Sequence, residues 1–229
     1  MDRNGVLVTR PEPGASETAQ RLLALSYHPI IAPLLRVRRL EPALPPNVGA
    51  VLVTSGNAVP CLPASLHRTP LLAVGNATAD RARAAGFAQV RSADGDAAAL
   101  AELARQACRP GVALLLATAR QQGGSLAAAL RAAGFVVHRR VVYAAKPVER
   151  LPPPAVQALQ HGSLAAALFL SAETARAFAR LLPQQLLPAL AEVEALAIGQ
   201  PTAEALRFLP WRRVRVSAKP TQDSILAML

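Results

Sequence analysis

Two stretches of the chain, Leu71 to Gly86 (LLAVGNATADRARAAG) and Ala197 to Leu209 (AIGQPTAEALRFL), carry the same chemical pattern. In each, a short apolar run meets a glycine, Gly75 or Gly199. Three residues on, a threonine, Thr78 or Thr202, opens an Ala-rich helix with an acid, Asp80 or Glu204, in its first turn. A strand that turns tightly into a helix leaves backbone N–H groups without helical partners at the strand's carboxyl end, where the helix dipole favours an anion. Two copies predict two facing anion sites.

Other polar residues gather at the ends of apolar runs: Thr9 with Arg10, Ser55 with Asn57, Asn76, Ser171 with Thr174, Gln200 and Thr221. Almost all are neutral hydrogen-bonders, and for any one of them helix capping is the competing explanation, because Ser, Thr and Asn are the preferred caps. The chain shows no paired carboxylates, no Ser-His-Asp ordering, no P-loop and no GxGxxG, so hydrolase, kinase and dehydrogenase chemistry find no support. Cys61 and Cys108 are far apart and read as reduced thiols. His28, His67, His138 and His161 are scattered, and no metal site is expected.

The net charge of +11 is nearly all arginine, with pairs at Arg38-Arg39, Arg139-Arg140 and Arg212-Arg213 but no basic tail. That spread argues against a nucleic-acid binder and fits a polyanionic small ligand, whose carboxylates suit the planar guanidinium fork. No apolar run reaches the ~18 residues of a membrane helix. The start, MDRNGVLVTRPEP, leads straight into a strand, so a soluble cytoplasmic protein is expected.

The elements that must position these groups alternate throughout. Strands are expected at Val6–Thr9, Ile30–Leu35, Val51–Thr54, Leu71 onward, Val90, Val112–Ala117, Val136–Val142, Leu164–Leu170, Leu196–Ile198 and Val214–Val216. Helices are expected between them, the first from Ser16 as cap to Leu25. The strands are continuous apolar runs, the mark of a parallel sheet covered on both faces, so the fold class is α/β.

The units starting at Val51, Leu71 and Val90 recur in order as those starting at Leu168, Leu196 and Val214, and Gly5–Leu35 recurs as Gly111–Val142. The order is A, B, A′, B′. Only the short CRPG turn separates B from A′, whereas RVRRLEPALPPN and AAKPVERLPPP, two proline-rich connections, separate the other pairs. B and A′ are therefore expected to form one inserted α/β domain, residues 42–142, and A to pack with B′ as a discontinuous α/β domain, residues 1–36 plus 150–229. Residues 37–41 and 143–149 would be two linkers side by side. Ligand is expected in a cleft, at the carboxyl ends of the strands.

LVTRPEP, TSGNAV, AVGNATA, VVY, FLSAETARAF, AIGQPTAEAL and SAKPTQDSILAML, in this order over the whole chain, resemble the uroporphyrinogen-III synthase family. The resemblance implies two similar α/β domains, each a parallel sheet flanked by helices, joined by a two-stranded linker. It implies a cofactor-free lyase of tetrapyrrole (heme) biosynthesis that closes hydroxymethylbilane, a linear tetrapyrrole with eight carboxylates, into uroporphyrinogen III with inversion of ring D. Substrate-binding residues would then be Thr9, Arg10, Ser55, Asn57, Gly75, Asn76, Thr78, Arg120, Ser171, Thr174, Gly199 and Thr202. Tyr143 falls on the family's VY position and would be the catalytic hydrogen-bond donor. Where many members carry a glycine- and arginine-rich turn, this chain has Thr118 to Gly124, TARQQGG, with Arg120 alone. Such an enzyme would act as a monomer in transient contact with the preceding pathway enzyme, without nucleic acid or membrane. The competing reading is a noncatalytic two-domain binding protein or sensor for an anionic metabolite.

Overall fold

The computed structural model describes residues 3–120 and 122–229; Met1, Asp2 and Gln121, the last inside the Thr118 to Gly124 turn, lie outside the described residues. Contacts divide the chain into two compact units: Met1–Arg36 with Lys146–Leu229, and Val37–Ala145.

In the first unit, β1 (Gly5–Val8) is followed by α1 (Gly14–Ala24) and β2 (His28–Ile31). After the excursion into the second unit come α5 (Pro153–Gln160), β9 (Leu164–Phe169), α6 (Ala172–Leu181), β10 (Glu194–Ala197), α7 (Gln200–Glu204), β11 (Arg213–Val216) and α8 (Gln222–Leu226). The sheet order is β11-β10-β9-β1-β2, parallel throughout. Helix α1 forms because Gly14, Ala15, Thr18, Ala19 and Leu22 recur at helical spacing and bury one face.

The second unit contains β3 (Leu35–Arg39) from Val37 on, β4 (Ala50–Val53), β5 (Leu71–Ala73), α2 (Asn76–Ala84), β6 (Val90–Ser92), α3 (Ala97–Ala107), β7 (Ala113–Ala119), α4 (Gly124–Ala132) and β8 (Val136–Pro147) as far as Ala145. Its sheet order is β3-β8-β7-β4-β5-β6. From β8 to β6 the strands are parallel. Alternate residues serve opposite cores: Val51, Val53, Leu71, Ala73 and Leu115 on one face, Ala50, Leu52, Leu72, Leu114 and Leu116 on the other. Each fully buried Leu or Val contributes about 1.5–3 kcal/mol, so these short strands are held by two layers rather than by propensity.

The two sheets share one plan. If β7, β8, β4, β5 and β6 are matched to β1, β2, β9, β10 and β11, the spatial order is identical and only the point where the chain enters differs. That is the A, B, A′, B′ repeat expressed as a circular permutation. In each sheet the strand order reverses beside the matched centre strand, β1 or β7, and such switch points are where open α/β sheets present ligand sites.

Four expectations need correction. Arg36 to Leu40 is not a bare connection: Leu35–Arg39 is an edge strand. Bonds from Leu40 N–H to Val142 O (2.8 Å) and from Val148 N–H to Leu34 O (3.0 Å) run in the opposite sense along β8, making that pair antiparallel. β8 itself continues to Pro147, five residues past the expected end at Val142, because β3 gives it a partner there. Helix α1 begins at Gly14 rather than after Ser16, and it is Glu12 that accepts from Ser16 N–H (3.0 Å) and from the Ser16 hydroxyl (2.9 Å). Helices α2 and α7 begin at Asn76 and Gln200, so Thr78 and Thr202 lie inside the first turn and Gly75 and Gly199 are the caps.

Candidate functional site

The carboxyl ends of the two sheets differ in how their helix starts are finished. Helices α3, α6 and α8 are capped by their own side chains: Asp96 accepts from Ala98 and Ala99 N–H, Ser171 from Thr174 N–H, and Thr221 from Ser224 N–H. Helices α2 and α7 have glycine caps and no side-chain cap bond. The first turn repeats bond for bond. Gly75 O accepts from Thr78 and Ala79 N–H, at 3.1 Å each, and Gly199 O accepts from Thr202 and Ala203 N–H, at 3.0 and 3.2 Å. A Cβ placed on Gly75 or Gly199 would meet nothing within 4 Å, so the space over both turns is open. Pro201 removes one donor from the α7 turn that Ala77 supplies in α2.

In the second unit this open turn neighbours the β4 end. Ser55 Oγ accepts from Asn57 N–H at 3.3 Å, and Asn57 O accepts from the Cys61 thiol at 3.5 Å. Burial pushes the Cys61 thiol pKa up, against a smaller opposing pull from the Arg39 charge. Asn76 donates from Nδ2 to Asp94 Oδ1 at 2.7 Å, which fixes the α2 start to the β6 turn. Thr78 is buried and Arg120 is exposed. The Arg81 guanidinium lies against Gly56: a Cβ there would stand 2.9 Å from Arg81 Cζ, so only glycine leaves this seat open without moving the side chain.

Tyr143 stands on β8, 4% exposed, in the same apolar cluster as Val53, Ala58, Val59 and Cys61. The register between β7 and β8 shifts between Thr118 and Ala119, so Thr118 pairs Val141 but Ala119 pairs Tyr143. This extra residue lets Val142 and Tyr143 enter one cluster, where simple alternation would send them to opposite faces. At the β7 end Thr118 is 1% exposed, and its hydroxyl has no hydrogen-bond partner among the described residues.

In the first unit Thr9 is fully buried and its hydroxyl donates to Leu168 O at 2.7 Å, joining the ends of β1 and β9. Arg10 follows it, half-buried. Ser171 and Thr174 bond each other's backbone: Ser171 Oγ accepts from Thr174 N–H at 3.1 Å and the Thr174 hydroxyl donates to Ser171 O at 2.8 Å. Thr202 is 3% exposed. The structure therefore brings Ser55, Asn57, Gly75, Asn76 and Thr78 to strand ends of the second sheet, and Thr9, Arg10, Ser171, Thr174, Gly199 and Thr202 to those of the first. Sequence reasoning singled out neither Arg81 nor Gln222, whose side chain meets Arg10. The only signals were a cation one helical turn beyond Thr78 and an amide next to the Thr221 cap.

Among the described residues there is no group of three His, Cys, Asp or Glu placed to hold a metal, and no helix is long and apolar enough to cross a membrane.

A family model, uroporphyrinogen-III synthase HemD, matches residues 16–227. No curated protein matches the chain. Among solved structures, the uroporphyrinogen-III synthetase of Helicobacter pylori is similar at a TM-score of 0.62 and 21% identity, covering 99% of this chain and 98% of that one. A mutant uroporphyrinogen-III synthase of the extremely thermophilic bacterium Thermus thermophilus matches at a TM-score of 0.48 and 21% identity, over 98% and 96% of the two chains. At such identity the Helicobacter pylori likeness speaks for the fold.

Proposed function

The chain belongs to the uroporphyrinogen-III synthase family and is a lyase of tetrapyrrole biosynthesis, and from that premise we propose how its residues do the work. The substrate is hydroxymethylbilane. Its terminal hydroxymethyl C–O bond breaks as the adjacent pyrrole nitrogen's electrons push in, and the hydroxyl leaves as water once it has received a proton. The methylene carbon of the azafulvene so formed is attacked by the substituted α-carbon of ring D, whose electron pair makes the new C–C bond of a spiro intermediate. The spiro intermediate then breaks the bond from that α-carbon to its original bridge. The bridge carbon left as a second azafulvene is attacked by the free α-carbon of ring D, and loss of the proton from that carbon restores the pyrrole with the ring inverted. Most of the driving chemistry belongs to the substrate, so the protein's part is to hold the chain folded and to exclude the uninverted closure.

The observation that supports this reading of the site is the pair of open, glycine-capped helix starts at Gly75 and Gly199. Backbone N–H groups there would receive substrate carboxylates, Ser55, Asn57, Asn76 and Thr202 would add neutral bonds, and Arg10 and Arg120 would add charge. Thr78 lies within the Gly75 turn, and Thr9, Ser171 and Thr174 would join in binding from the neighbouring strand ends of the first sheet, where Thr9 ties β1 to β9 and Ser171 with Thr174 closes the start of α6. Tyr143 would donate its phenolic O–H to the departing hydroxyl. We read the protein as a cytoplasmic monomer in transient contact with the enzyme that supplies hydroxymethylbilane.

Incubation with hydroxymethylbilane, oxidation of the products and separation of uroporphyrin isomers tests the activity. Isomer III is expected in excess of the spontaneous isomer I; isomer I alone would refute it. Tyr143→Phe should keep its fold and lose more turnover than any single Ser or Thr change, with KM little altered. Unchanged turnover would leave Tyr143 as core packing.

A further inference from the structure

Arg10 is held by a polar network that joins the two ends of the chain. Its Nη1 donates to Gln222 Oε1 at 3.0 Å, and it reaches Thr18 Oγ1 at 3.4 Å. Gln222 Nε2 donates to the same Thr18 oxygen at 3.1 Å, while the Thr18 hydroxyl donates to Gly14 O at 2.9 Å. Thr18 is fully buried. Each group uses the capacity it has: the amide oxygen takes a guanidinium proton, the amide nitrogen gives one, and the hydroxyl accepts two and gives one. Gly14 completes the seat, since a Cβ there would stand 2.5 Å from Arg10 Cζ. The guanidinium is thus fixed at the carboxyl end of β1 by a neutral side chain, which orients it and adds no opposing charge of its own.

We propose that Gln222 is a positioning residue for substrate: it aims Arg10 at a carboxylate of the linear tetrapyrrole without setting a negative charge against that carboxylate. This rests on the reading that Arg10 binds substrate. An acid at the same position would hold the guanidinium at least as firmly but would compete with the substrate for it, so neutrality is what the amide contributes beyond geometry.

The test uses the full chain with steady-state kinetics on hydroxymethylbilane and thermal unfolding. Gln222→Glu is expected to unfold at or near the wild-type temperature and to raise KM roughly tenfold, with kcat within about twofold. Gln222→Met, which removes both polar atoms, should also raise KM, and it serves as the second variant if Gln222→Glu does not fold. In an Arg10→Ala background neither change should raise KM further, because the coupling runs through Arg10. A folded Gln222→Glu enzyme with wild-type KM, beside an Arg10→Ala enzyme whose KM has risen, would overturn the positioning role alone. Wild-type KM in Arg10→Ala would overturn the reading of Arg10 and the inference with it. A KM rise of the same size in the presence and absence of Arg10 would also overturn it.

Discussion

Two buried threonines at the ends of the centre strands offer a quantitative test of the fold. The Thr9 hydroxyl donates to Leu168 O at 2.7 Å, whereas the equally buried Thr118 hydroxyl has no partner among the described residues. Valine is nearly isosteric with threonine, so Thr→Val exchanges the hydroxyl for a methyl at both sites. At Thr118 it removes a desolvated, unpaired group, whose burial costs about 1–3 kcal/mol, and a gain of about 1 kcal/mol is expected. At Thr9 it deletes a satisfied bond and should cost about 1–2 kcal/mol. Urea unfolding with a slope near ~2 kcal/mol per molar converts each kcal/mol into a midpoint shift of about 0.5 M, upward for Thr118→Val and downward for Thr9→Val. The single tryptophan, Trp211, sits in the first unit against Phe169 and Phe178, so its emission follows that unit while far-ultraviolet circular dichroism follows both. The Thr118→Val shift should show in dichroism, and the Thr9→Val shift in both signals. If Thr118→Val lowers the midpoint by about 0.5 M or more, the hydroxyl is bonded and the reasoning fails.

Ser55→Ala and Thr202→Ala should each lower kcat/KM less than tenfold, since each deletes about 1 kcal/mol of hydrogen bonding; a folded variant that loses several orders of magnitude would reveal a catalytic role. Gly75→Ala and Gly199→Ala should leave the unfolding temperature almost unchanged, because both positions are extended and a Cβ meets open space. Both should raise KM, and normal KM in the pair would show that substrate does not approach these turns. Burial raises the thiol pKa of both Cys61 and Cys108, so both should react slowly with a thiol reagent at neutral pH in the native protein and at once in urea. Immediate native reaction of both would contradict the burial of Cys61 and the partial burial of Cys108.

The alternation of apolar runs and the A, B, A′, B′ repeat were legible because a strand buried on both faces must be apolar at every position, as Val51 to Val53 and Leu114 to Leu116 are. Leu35–Arg39 was not. An edge strand shows its charges to water, and Arg36, Arg38 and Arg39 next to a proline-rich run read as a connection. The glycine turns were legible in place but misjudged by two residues, because the threonine that marks them works from inside the helix. The Arg10 network was illegible for another reason. Gln222 lies 212 positions from Arg10, and nothing in the local pattern of either ties them.

The pairing of β1 with both β2 and β9 sets an order of events on the ribosome. β2 ends at Ile31, but β9 begins only at Leu164. At synthesis rates of about 5–20 residues per second, one side of β1 stays without its neighbour for roughly 7–27 s. During that interval every strand of the inserted Val37–Ala145 unit has already been made and can close its own sheet. The nascent chain therefore carries a finished unit beside an apolar strand, Gly5–Val8, with an unpaired edge. That edge is the place where a ribosome-bound holdase would gain the most by binding, and where slow translation would most favour aggregation.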